Sequence, residues 1–81
     1  MSRRVHVRYY AVLRERAGVA DETVATDAVD AAALYDELSV RRDLAFPRAM
    51  LRVAVNDEFA EWSRPLADED RIVFIPPVAG G

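Results

Sequence analysis

The hydrophobic positions change period along the chain, and the changes mark out its elements. Val5, Val7 and Tyr9 alternate with His6 and Arg8, which puts three apolar side chains on one side of a strand. Residues 11–17 follow with Val12, Leu13 and Ala17 on one side and Arg14, Glu15 and Arg16 on the other. That is a short helix, and Gly18 stands where a left-handed C-terminal cap belongs. Residues 22–26 make a second short strand carrying Val24. Asp30 has the side chain of an N-cap. Beyond it Ala31, Leu34, Tyr35 and Leu38 recur at i, i+3, i+4 and i+7, one apolar helical stripe. Asp36 and Glu37 are expected to face water, and Arg41 and Arg42 sit near the C-terminal end, where the helix dipole favours cations.

After a loop at 43–48 containing Pro47, residues 51–55 alternate cleanly as a strand. Asn56-Asp57 is a turn, and residues 58–62 return as the second arm of a hairpin. Ser63-Arg64-Pro65 breaks that arm, and Asp68-Glu69-Asp70 forms an acidic turn. Residues 72–75 are apolar at every position, which reads as a central strand buried on both faces. Pro76 and Pro77 end it, because neither can donate to a ladder. Strand, short helix, strand, helix and three strands predict an α+β fold, a mixed sheet packed on one main helix.

Composition narrows the class. The 81 residues make one domain, 1–81, able to bury roughly 60–65% of its unfolded surface without metal or disulfide. No apolar run approaches the ~20 residues of a membrane span. The start, with Arg3 and Arg4 but no apolar segment after them, predicts a cytoplasmic protein. A net charge of −3 argues against a nucleic-acid binder. Arginines gather early at 3, 4, 8, 14 and 16, as an ion-paired solvated face or a docking patch for an acidic partner. There is no cysteine, so any sulfur chemistry must ride on something other than a side chain. All 11 basic residues are arginine, so no side-chain amine can accept an isopeptide bond.

Enzyme-like constellations are weak. His6 is the sole histidine and has no cysteine or evident serine partner. The carboxylates of Asp68, Glu69 and Asp70 read as a solvated turn rather than a metal cluster, and Phe59 and Trp62 as core or partner contacts. Gly18 is the one glycine outside the last two positions, which excludes a glycine-rich phosphate loop. The remaining candidate is the Gly80-Gly81 end. Its carboxylate has no Cβ beside it and a stem free to thread and bend into a narrow site. A carboxylate is a poor electrophile. Adenylation by ATP would make it a mixed anhydride, and a sulfur nucleophile displacing AMP would leave a terminal thiocarboxylate. Two prolines keep the base of the stem extended.

Three blocks carry a resemblance. Tyr9-Tyr10-Ala11-Val12-Leu13-Arg14-Glu15-Arg16-Ala17-Gly18 resembles the early signature of the small, sulfur-carrying subunits of molybdopterin synthase. Val53-Ala54-Val55-Asn56 with Pro65-Leu66-Ala67-Asp68 is similar to their central hairpin and following turn, and Phe74-Ile75-Pro76-Pro77-Val78-Ala79-Gly80-Gly81 to their C-terminal block. The resemblance implies a ubiquitin-like β-grasp fold and a sulfur-carrier role. Gly81 would be adenylated and then thiocarboxylated, with ATP used by an adenylating partner and no cofactor held permanently. Sulfur would come from a cysteine desulfurase system. Gly80, Ala79, Val78, Pro77 and Pro76 would line the channel of the large synthase subunit, in a heterotetramer, and Phe74 would add to the docking face. Sulfur would pass to cyclic pyranopterin monophosphate. The chain departs from the family at Glu69, where relatives commonly have glycine, and at Ala79, where they often have serine. Other uses of such an end are a sulfur carrier of the thiazole-synthesis type, a ubiquitin-like protein modifier, or a plain interaction module.

Overall fold

A computed structural model describes residues 2–77. Five strands and two α-helices follow the predicted order. They are β1 (Arg3–Tyr9), α1 (Ala11–Ala17), β2 (Asp21–Thr26), α2 (Ala31–Arg42), β3 (Arg52–Val55), β4 (Glu58–Ala60) and β5 (Arg71–Ile75), with a 3-10 turn at Arg48–Met50. The sheet order is β2-β1-β5-β3-β4. β1 and β5 are parallel and every other pair is antiparallel. This mixed sheet with one main helix is the ubiquitin-like β-grasp.

Local chemistry fixes the element ends. The Asp30 carboxylate accepts from the Ala33 amide at 2.8 Å, so α2 starts where its cap stands. Two more free amides of its first turn, Ala31 and Ala32, donate to the Arg64 and Trp62 carbonyls, which seats the helix on the loop after β4. Gly18 closes α1 at φ 79°, its amide on the Arg14 carbonyl. Asn56 and Asp57 both take positive φ, 53° and 72°, the two-residue turn whose twist suits a hairpin.

The core lies between one sheet face and α2. Ala31, Leu34, Tyr35 and Leu38 are all buried there, as their spacing predicts. They meet Val5, Val7, Tyr9, Val53, Val55, Ile72 and Phe74. Phe74 is the hub of an aromatic cluster, with ring centroids 5.0 Å from Tyr35, 6.0 Å from Trp62 and 6.4 Å from Tyr9. Among the described residues no buried side-chain polar atom lacks a hydrogen-bond partner. No helix there is long and apolar enough to cross a membrane.

Two expectations change. Glu37 does not simply face water: it accepts from the buried Thr26 hydroxyl at 2.6 Å and pairs with Arg41 at 2.8 Å. β5 is central, but only Ile72 and Phe74 are fully buried; Val73 and Ile75 are half-buried. Both helices cover the same side of the sheet, so among the described residues no layer covers the second face of β5.

Candidate functional site

The described chain reaches the surface just past β5. Pro76, just past the strand, is buried, so it belongs to the body of the domain and is not free to line a partner's channel as expected, whereas Pro77 is exposed. Val78, Ala79, Gly80 and Gly81 lie outside the described residues. Phe74 requires a correction. Its side chain is 0% exposed and enclosed by three aromatic rings, so it is core and offers no surface to a partner. Strand alternation explains this, since Phe74 shares its face with its register partners Tyr9 and Val53, both buried.

The same alternation turns its neighbours outward. Val73 is level with Arg8 on β1 and Ala54 on β3, and Ala54 is level with Phe59 on β4. Ile75 is level with Arg52. Tyr10 continues the extended backbone of β1 at φ −121° and ψ 151°, so it points opposite to Tyr9. Tyr10 and Phe59 are 44% and 64% exposed, and on this face they adjoin one another's apolar neighbours rather than standing singly. Tyr10, Phe59, Ala54, Val73 and Ile75 thus form an apolar half of the outer sheet face, beside the point where the chain leaves at Pro76. The sequence marks Phe59 only as a core or partner residue and gives no separate role to Tyr10, Val73 or Ile75. The signal was present: a strand apolar on both faces within a two-layer fold must leave one of those faces uncovered.

The other half of the face is polar and closed on itself. The guanidinium of Arg4 meets Glu69 at 2.7 Å, and His6 bridges Glu69 at 2.8 Å and Thr23 at 3.1 Å. Arg4 and then His6 hold the Glu69 carboxyl below the usual range. Arg71 pairs with Asp57 at 2.8 Å. The acidic turn is structural: Asp68 and Glu69 are exposed as expected, but Asp70 is buried rather than solvated. Asp68 accepts from the Arg4 amide, and Asp70 accepts from the Ala67 amide and from the Asn56 side chain. Asn56 in turn receives the Arg71 amide, which fixes the start of β5. Among the described residues no group of acidic or histidine side chains could hold a metal ion. Glu69 stands at φ 67°, the left-handed conformation that explains why glycine suits this position.

A third cluster braces the edge of the inner layer. Glu22 on β2 accepts from the Tyr9 hydroxyl at 2.6 Å and pairs with Arg42 at the end of α2. Arg42 holds the Glu22 carboxyl below the usual range, against the opposing effect of burial, and Tyr9 adds to it. Burial, followed by the bond to Glu22, pushes the Tyr9 phenol well above its usual value. These groups are committed to one another and staple sheet to helix.

The architecture and the end of the chain are matched by known proteins. The chain is 34% identical over 80 residues to the molybdopterin synthase sulfur carrier subunit of Escherichia coli (strain K12), covering 95% of this chain and 99% of that protein. Its structure is similar to small archaeal modifier protein 1 of Haloferax volcanii, with TM-score 0.81, 22% identity and coverage of 94% and 99% of the two chains. It is also similar to a chain of the complex of subunits 1 and 2 of molybdopterin-converting factor from Helicobacter pylori 26695. That match has TM-score 0.66 and 29% identity, covering 96% of this chain and 99% of that one. The sequence model of the ThiS family matches residues 7–81, from β1 to the final glycine, and the chain belongs to that family.

Proposed function

We propose that this chain is the sulfur-carrying small subunit of a molybdopterin synthase, working in the cytoplasm. The observation that carries the reading is the 34% identity, over nearly the full length of both chains, to a molybdopterin synthase sulfur carrier subunit. The likeness to a chain in a complex of subunits 1 and 2 of a molybdopterin-converting factor supports a large-subunit partner.

In this reading Gly81 carries the chemistry. Its carboxylate oxygen attacks the α-phosphorus of ATP bound to an adenylating partner, and pyrophosphate leaves. A persulfide sulfur supplied by a desulfurase system attacks the acyl carbon; the C–S bond forms and the C–O bond to AMP breaks, and a thiol then reduces the S–S bond to leave the thiocarboxylate. Gly80 keeps the acyl carbon open to attack, and residues 77–79 occupy the large subunit's channel, while Pro76, buried in this domain, anchors the base of the tail. The apolar half of the outer sheet face, around Val73 and Ile75, seats the body of the domain while the tail enters. The thiocarboxylate sulfur then displaces oxygen from a carbon of cyclic pyranopterin monophosphate, and water hydrolyses the thioester so formed, leaving sulfur on the pterin and a carboxylate on Gly81.

Removal of Gly81 tests this directly. The shortened protein should melt at the wild-type temperature, still bind the large subunit, and fail to support molybdopterin synthesis in cells lacking their own small subunit. Intact mass of the full chain from its native cell should reveal a fraction with one oxygen replaced by sulfur. Synthesis supported without Gly81 refutes the carrier role. Gly81 found joined to lysines of other proteins would assign the chain to protein modification instead.

A further inference from the structure

The outer sheet face carries four arginines, and they divide into two kinds. Arg4 and Arg71, in the polar half, are each neutralised by a carboxylate, Glu69 and Asp57. Arg8 and Arg52, in the apolar half, make no ion pair among the described residues. Their positions are fixed by register. Arg8 lies beside Val73 from the β1 side, and Arg52 beside Ile75 from the β3 side. The two exposed guanidinium groups therefore flank the two half-buried residues of β5. Arg52 is held over the Phe59 ring, 4.4 Å from its centroid, and its guanidinium makes no ion pair among the described residues. Asp21 is level with Arg8 across β1 and β2, yet the two form no ion pair.

A partner that covers Val73 and Ile75 must also take water from both guanidinium groups. Burying such a cation without a counter-charge costs more than the apolar contact between two half-buried side chains returns. The covering surface must therefore bring acceptors to both flanks. Carboxylates fit best, because a planar guanidinium donates to them in pairs. Nucleic acid would supply the anions but no apolar centre, and the net charge of −3 opposes it.

We propose that the docking surface of the large synthase subunit is an apolar patch flanked by two carboxylates, which pair with Arg8 and Arg52. The proposal deepens the reading above and rests on it. The test is titration calorimetry of the full-length protein with the large subunit of its own organism, at low and high salt. Wild type should bind, with affinity falling as salt rises. Arg8→Glu/Arg52→Glu should keep the wild-type melting temperature, bind about tenfold or more weakly, and lose the salt dependence. Arg41→Glu/Arg64→Glu makes the same change in net charge on residues outside this face and should bind as wild type does. Salt-independent wild-type binding, unchanged affinity of the first double variant, or equal weakening of both variants each overturns the charged rim while leaving the carrier reading standing. No wild-type binding at all refutes the synthase partner itself, and the rim with it.

Discussion

Replacing Phe74 by alanine distinguishes the core from the docking face within a single strand. Phe74 is fully buried and packs on Tyr9, Tyr35 and Trp62. A core Phe→Ala change costs about 3–5 kcal/mol. Three aromatic contacts, each worth about 0.5–1.5 kcal/mol beyond burial, put this site at the upper end of that range. A domain of 81 residues holds about 4–12 kcal/mol in all, so the variant should lose a third or more of its stability. With an unfolding entropy of about 2.1 cal/mol/K per residue, the melting temperature should fall by roughly 20–30 °C. Thermal melts followed by circular dichroism measure this, paired with calorimetric binding to the large subunit below the melt. Ile75→Ala is the companion variant. It removes a half-buried side chain from the outer face, so it should cost only about 1 kcal/mol of stability and should weaken binding clearly. A Phe74→Ala protein that melts within a few degrees of wild type yet no longer binds would refute this division of the strand.

The Glu22 carboxyl is held low by Arg42, so its folded pKa lies below its unfolded value. Its contribution is therefore complete above the ordinary carboxylate range and is lost as pH falls through the folded pKa. Urea midpoints measured downward from neutral pH should fall more steeply for wild type than for Glu22→Gln, and parallel curves would count against the staple. Glu69→Gly relieves a left-handed backbone at φ 67° while giving up exposed pairs to Arg4 and His6, so stability should stay level or rise by about 1 kcal/mol. A clear loss in a denaturant titration would mean that the pairs outweigh the strain. Asp30→Ala removes the cap on the Ala33 amide and should cost about 1 kcal/mol by the same measurement, with no effect on partner binding. An unchanged denaturation midpoint would mean that the Trp62 and Arg64 carbonyls alone hold that helix end.

The sequence by itself determined the element order, because each signal was local. The Asp30 cap, the Ala31-Leu34-Tyr35-Leu38 stripe, the left-handed Gly18 and the Asn56-Asp57 turn all depend on residues within a turn or two of one another. It also identified the candidate end at Gly80-Gly81 from residue type alone. Only the tertiary structure decided which face of β5 is covered. Four consecutive apolar residues carry no information about which side meets a helix, and the natural reading was burial on both. The chain has one layer of helix, so Ile72 and Phe74 went inward while Val73 and Ile75 stayed at the surface. The pairing of the arginines was equally out of reach. Arg4 meets Glu69 across 65 positions of sequence, and Arg8 and Arg52 come to flank one strand only because β1 and β3 both pair with β5. Side-chain direction within a strand is local, but the neighbour that covers it or leaves it bare is set by topology.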